Sequence, residues 1–138
     1  MALQFRRMHH PGLVVRDLDQ AVAWYRDTLG FEVEAMTSAP EFGLRFGYLR
    51  RDETRLELFQ KDGSQSLREG EDDLMASFQY AGFRHFAFEV DDVDATWAEI
   101  QSLGLDEACP PTRNADLGVY YCFIRDPDGN LLEFIRNE

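Results

Sequence analysis

The stretch HHPGLVVRDLDQAVAWYRDTLGFEV, His9 to Val33, is answered later in the chain by RHFAFEVDDVDATWAEIQSLGLDEA, Arg84 to Ala108. Both read as strand, Asp-x-Asp, amphipathic helix, Leu-Gly, strand. His10 and His85, Asp17 and Asp92, and Asp19 and Asp94 stand 75 residues apart, and Gly30 and Gly104 stand 74 apart. A near-constant offset over four landmarks marks two copies of one supersecondary unit. Each landmark has a physical task. Asp17 and Asp92, or Asp19 and Asp94, cap the following helix by accepting from its free N–H groups. Ala21, Trp24, Tyr25 and Leu29 fall on one helical stripe, as do Val93, Trp97, Ile100 and Leu103, so these aromatics read as core. Gly30 and Gly104 suit a left-handed helix end.

Working outward, three further strands follow each helix, near 31–36, 44–49 and 55–60 in the first unit and near 106–109, 119–124 and 131–136 in the second. Arg51-Asp52-Glu53 breaks the first hairpin, and Asp126-Pro127-Asp128-Gly129-Asn130 is a strong turn signal in the second. Each unit is therefore βαβββ, and the fold class is α+β with two tandem βαβββ modules. The expected organisation is one domain over 1–138, with module one about 8–60, a linker about 61–82 and module two about 83–136. The linker is too long for a tight turn. It suits a short helix around 74–80 and a segment folded over a pocket. Its run Glu71-Asp72-Asp73 reads as a solvated face.

Bulk properties narrow the function. A chain of 138 residues is one ordinary domain, able to bury a core without staples. No apolar run is long enough to span a membrane. The N-terminal MALQFRRMHHPG lacks the apolar core of a secretory leader, which points to the cytoplasm. The formal net charge of −12 repels phosphate backbones and argues against nucleic acid, while leaving room for a small-molecule substrate held by a few arginines. The two cysteines, Cys109 and Cys122, lack C-x-x-C spacing and read as reduced, partly buried thiols.

The chemistry lies in repeat-equivalent positions. His10 and His85 belong to the first strand of each unit, and Glu57 and Glu133, 76 residues apart, to the last. Any one of the four reads alone as an ordinary strand residue: Glu57 between Leu56 and Leu58, for instance, fits the solvent side of an alternating strand. Jointly they do not. Only three histidines exist, and two occupy equivalent places. A pseudo-twofold pairing of the units brings two imidazoles and two carboxylates together, a set that suits a divalent Mn, Fe, Co, Ni or Zn ion and not a thiolate-bound structural zinc. His9, by strand alternation, is expected to point away from His10.

These residues carry a family resemblance. His10-Pro11-Gly12-Leu13-Val14-Val15-Arg16-Asp17-Leu18, Tyr25-Arg26-Asp27-Thr28-Leu29-Gly30-Phe31, Leu56-Glu57-Leu58-Phe59, His85-Phe86-Ala87-Phe88-Glu89-Val90-Asp91-Asp92 and Asp126-Pro127-Asp128-Gly129-Asn130-Leu131-Leu132-Glu133 resemble motifs of the vicinal oxygen chelate superfamily. That superfamily spans glyoxalase I, methylmalonyl-CoA epimerase, extradiol dioxygenases and fosfomycin and bleomycin resistance proteins. The resemblance implies a cupped mixed sheet around one divalent metal ion bound at the positions of His10, Glu57, His85 and Glu133. It implies a homodimer, with the site inside one chain or shared across two. Of the known ligand patterns, His-Glu-His-Glu is that of glyoxalase I. Extradiol dioxygenases keep one carboxylate and three open positions, and the epimerase usually has an amide where Glu57 stands.

The implied activity is that of a metal-dependent lyase or isomerase. Glu133 and Glu57 would move a proton beside a chelated carbonyl, via an enediolate. The alternatives are an extradiol-type dioxygenase and a non-catalytic binding or resistance protein. Substrate-binding residues are not fixed. Phe46, Tyr48, Tyr121, Arg45 and Arg50 are wall candidates whose facing parity the sequence leaves open, and Arg113-Asn114 is the nearest thing to a glutathione-binding pattern.

Overall fold

Asp17 sets the first helix. In extended conformation, its carboxylate accepts from the Gln20 N–H at 3.0 Å, and α1 (Leu18–Leu29) runs from there to Gly30, left-handed at φ 69°. Asp92 does the same for α2 (Val93–Ser102), accepting from the Ala95 N–H at 3.0 Å. Of the two candidate caps in each unit, the first is used. The second turns to tertiary contacts: Asp19 pairs with Arg45, and Asp94 accepts from the Tyr120 hydroxyl.

The computed structural model describes residues 1–65, 74–79 and 81–138. They fall into two compact units, Met1–Gln65 and Ser66–Glu138. In the first, β1 (Gly12–Val14), β2 (Glu32–Ala39), β3 (Leu44–Arg51) and β4 (Thr54–Lys61) form a sheet of order β1-β4-β3-β2. In the second, β5 (His85–Glu89), β6 (Asp106–Asn114), β7 (Val119–Arg125) and β8 (Leu131–Asn137) repeat it as β5-β8-β7-β6. β1 runs parallel to β4 and β5 parallel to β8, and the other ladders are antiparallel, so both sheets are mixed. The α+β reading with two tandem βαβββ modules is what the chain adopts.

Each helix covers one face of its own sheet. Leu18, Ala21 and Tyr25 of α1 are buried, as are Leu56 and Leu58 of β4 on the strand beneath. The helical stripe predicted for α2 stops short, because Leu103 is 62% exposed while Val93 and Ile100 are buried. Trp24 and Trp97 are half-buried, lying at the edge of the core rather than inside it.

Three details depart from the sequence reading. β1 begins at Gly12, so His10 precedes the strand, although the ladder reaches back one step through the Glu57 N–H, which donates to the Pro11 carbonyl at 3.0 Å. β2 continues to Ala39, past the expected end at 36. β6 continues past the expected end at 109, through Pro110 and Pro111 to Asn114, so Arg113-Asn114 ends a strand. Two register shifts, between Glu107 and Cys109 and between Cys109 and Thr112, accommodate the prolines, and β6 is an edge strand, where a missing N–H is tolerated. In the linker, the short helix expected around 74–80 is present as a 3₁₀ helical turn at Leu74–Gln79, while Glu71-Asp72-Asp73 and Tyr80 lie outside the described residues.

The Asp126 turn shows why its sequence is so specific. The buried Asp126 carboxylate accepts from the backbone N–H groups of Asp128 and Asn130 and from the Asn130 side chain, each at 2.9 Å. This cinches β7 to β8 and fixes the start of the strand that carries Glu133.

Both cysteines are free. Burial, with lesser contributions from Cys109, Glu133 and Asp94, pushes the Cys122 thiol up to about 12. The folded state therefore holds this proton more tightly than the unfolded chain, so the associated stability is complete below the usual thiol range and is lost as pH climbs towards about 12. At pH 8 the native chain should give no more than one fast-reacting thiol, Cys109, with an aromatic disulfide reagent, and two in guanidinium. Two fast thiols in the native protein would contradict the burial of Cys122.

Candidate metal centre

Glu57 sits between the buried Leu56 and Leu58 of β4, so alternation turns it to the sheet face away from α1. There the His10 Nε2 lies 2.9 Å from a Glu57 carboxylate oxygen. Module two repeats the pair: His85, first residue of β5, places Nε2 2.9 Å from a carboxylate oxygen of Glu133 on β8. Glu133 is one of the buried charged residues of the chain. The repeat inferred from spacing thus yields two equivalent histidine–glutamate pairs. Among the described residues, no three His, Cys, Asp or Glu side chains form a single metal-holding group.

An aromatic ring backs each imidazole. Tyr48, opposite Glu57 on β3, meets His10 edge-to-face with centroids 5.1 Å apart. Phe123, opposite Glu133 on β7, meets His85 in the same way at 5.1 Å. The facing parity left open by sequence is now fixed within each sheet. Phe46 and Tyr48 share the face of Glu57, with Phe46 stacked on Phe59, and Tyr121 lies edge-on to Phe123 beside Glu133. Arg45 is on the other face, paired with Asp19 of α1. Arg50 is paired with Glu34.

His9 does not point away from His10. With the strand starting only at Gly12, the two imidazoles are not bound by alternation, and their Nδ1 atoms approach to 2.6 Å. Arg55, held by Glu34, donates from Nη1 to His9 Nε2 at 2.7 Å. In module two Arg84 donates from Nη1 to His85 Nδ1 at 2.9 Å. Sequence reasoning missed His9, Arg55, Arg84 and Phe123. Two of them had a signal, since Phe123 lies 75 residues after Tyr48 and Arg84 lies 75 after His9, the repeat offset.

Each pair supplies one imidazole nitrogen and one carboxylate oxygen, donor types that suit a divalent ion.

A sequence profile of the Glyoxalase/Bleomycin resistance protein/Dioxygenase superfamily matches residues 7–134. The chain belongs to this superfamily. Among curated relatives of this glyoxalase group, it is 30% identical over 95 residues to the mitochondrial methylmalonyl-CoA epimerase of Mus musculus, an alignment covering 69% of this chain and 52% of that one. The chain thus spans about half the length of that epimerase. It is 26% identical over 135 residues to the lactoylglutathione lyase of Haemophilus influenzae, covering 94% and 91% of the two chains. Of solved structures, a glyoxalase family protein from Enterococcus faecalis superposes with a TM-score of 0.77 at 25% identity, over 96% of this chain and 98% of that one. The trypanothione-dependent glyoxalase I of Leishmania major gives 0.71 at 25% identity, over 96% and 87%. Among the described residues, no helix is long and apolar enough to cross a membrane.

Proposed function

We propose that the chain is a divalent-metal-dependent isomerase or lyase of the glyoxalase I type, acting as a cytoplasmic homodimer on a small molecule with oxygens on neighbouring carbons. The observation that carries this reading is the pair of repeat-equivalent histidine–glutamate contacts, one in each module. His10, Glu57, His85 and Glu133 would hold one Ni, Co, Mn, Fe or Zn ion. When bound, such an ion supplies Lewis-acid stabilisation of negative charge developing on the substrate's oxygens.

The chain's own residues supply the rest. Glu133 and Glu57 act as bases that take a proton from the carbon beside the carbonyl and return it to that carbon or its neighbour. One carboxylate for each face of the substrate accounts for epimerisation as well as isomerisation. Tyr48 and Phe123 hold the imidazole rings in place and line the carboxylate faces with apolar surface, which lowers the local water content where the proton moves. Two relatives of different activity, the epimerase and the lyase, are both compatible with this shared proton-transfer step.

The test needs no knowledge of the product. Metal-loaded chain is incubated in D₂O with 2-oxo aldehyde–thiol adducts, acyl-CoA thioesters and 2-hydroxy ketones, and deuterium entry beside the carbonyl is followed by NMR. Exchange in one class is expected and names the substrate type. Before this, chain exposed to Mn, Co, Ni or Zn and desalted should retain up to one ion, lost to chelator. No retained metal would remove the basis of the reading. Catechol cleavage with oxygen uptake under Fe(II), in place of exchange, would favour the dioxygenase, and metal-free drug binding would favour a resistance protein.

A further inference from the structure

The far side of each imidazole holds the less expected feature. A histidine that binds a metal through Nε2 carries its remaining proton on Nδ1 and donates it to a carboxylate, a carbonyl or water. Nδ1 of His85 faces a guanidinium instead, with Arg84 Nη1 at 2.9 Å. Arginine has no acceptor, so Nδ1 must accept. The single proton of the neutral ring then sits on Nε2, 2.9 Å from a Glu133 carboxylate oxygen. Module one has the same polarity with one more ring in the chain: Arg55 donates to His9 Nε2, His9 Nδ1 donates to His10 Nδ1, and His10 Nε2 donates to Glu57.

Arg84 is also tied to the 3₁₀ turn at Leu74–Gln79. Its Nε donates to the Ser77 hydroxyl at 2.7 Å, and the Ser77 hydroxyl donates to the Leu74 carbonyl at 2.6 Å. Its guanidinium lies 4.0 Å from the centroid of the Phe78 ring, within cation–π range, and 5.4 Å from that of Phe123. One guanidinium thus bridges the turn and a candidate ligand.

We propose that Arg84 is a positioning residue that couples metal entry at His85 to release of the Leu74–Gln79 turn. Ligation at Nε2 moves the proton, through solvent, from Nε2 to Nδ1. The ring stays neutral with one proton throughout, but its Nδ1–H then confronts the Arg84 N–H. Arg84 leaves Nδ1, and the turn loses the anchor it shared with Ser77 and Phe78. The arginine therefore opposes ligation, and removing it strengthens metal binding, the reverse of what loss of a supporting partner does.

This inference rests on the metal-binding reading, and the experiment separates the two. Full-length wild type, Arg84→Met and Ser77→Ala are titrated with Zn²⁺ against a chelator of known affinity, and amide hydrogen exchange is followed in the 74–79 peptide. Metal should bind Arg84→Met on the order of tenfold more tightly than wild type, with a smaller gain for Ser77→Ala. Zn²⁺ should raise exchange in 74–79 of wild type, whereas Arg84→Met should already exchange fast without metal. Unchanged or weaker binding in both variants, or a turn that ignores Zn²⁺ in wild type, overturns the coupling while leaving the proposed function standing. If wild type retains none of Mn²⁺, Co²⁺, Ni²⁺ or Zn²⁺, the functional reading fails and the coupling fails with it. The premise is tested separately by ¹⁵N NMR of the metal-free imidazoles: a His85 proton on Nε2 in wild type that shifts towards Nδ1 in Arg84→Met supports it, and a proton on Nδ1 in wild type overturns the inference.

Discussion

Glu133→Gln should lower deuterium exchange into the responsive substrate by about 10²–10⁴-fold, the usual worth of a positioned general base. That range corresponds to about 2.7–5.5 kcal/mol in activation free energy. The substitution is suited to the test because the amide is nearly isosteric with the carboxylate and keeps one carbonyl oxygen, so the packing of β8 survives. What disappears is the basic lone pair. Glu133 is buried on a strand whose neighbours Leu132 and Phe134 are also buried, so water cannot easily replace it as a base. Because the residue is also a proposed ligand, rates are compared at saturating metal, with bound ion measured in the same samples. Glu57→Gln provides the comparison: if each carboxylate serves one substrate face, an epimerisation loses rate in both variants, while a one-base rearrangement loses it mainly in one. A Glu133→Gln chain that keeps its metal and its full exchange rate would end the assignment of Glu133 as base.

The repeat was legible because its landmarks are residues with little freedom. A capping aspartate, a left-handed glycine and an Asp-Pro-Asp-Gly-Asn turn each have a backbone task that few residue types perform, so their spacing survives as pattern. Strand existence and order followed from them. Facing parity did not, because β3 is apolar on both sides. Phe46 and Tyr48 look outward to the site and Leu49 inward to the helix, while Gly47 is required because a Cβ there would collide with the Ala35 carbonyl. His9 was misplaced for a different reason. Alternation was applied to residues that precede the strand, where nothing enforces it. Arg84 stands at the repeat offset from His9, but neither its contacts nor those of Arg55 were legible, because a long flexible side chain reaches across strands or back along its own and no periodicity records where its end goes. The four residues were legible as repeat-equivalent positions, and the contact of each histidine with the glutamate of its own module follows from the parallel ladders β1–β4 and β5–β8, which bring the start of one strand beside the middle or start of the other.

His10→Ala and His85→Ala should each cost on the order of 100-fold or more in metal affinity, since each removes a proposed ligand outright, whereas loss of a partner behind a ligand typically costs 10–100-fold. Neither change should unfold its module, because both imidazoles are only half-buried and lie outside the cores built on Leu56, Leu58, Leu132 and the helices. The pairs arise within Met1–Gln65 and within Ser66–Glu138, so each variant keeps one intact pair. This makes a mixing experiment decisive about the assembly of the proposed quartet. In a twofold homodimer with sites shared across chains, a His10→Ala/His85→Ala heterodimer contains one site with both histidines and one with neither. Random re-pairing of equal amounts then restores about one quarter of the wild-type sites. With each site inside one chain, every site in the mixture lacks a histidine, and nothing is restored. Chelator competition reads the recovered fraction directly, and a native mass spectrum of the same mixture establishes that heterodimers formed. Metal retained at wild-type affinity by either variant alone would show that its histidine is not a ligand, and the shared ion would then have to be sought around the other module's pair.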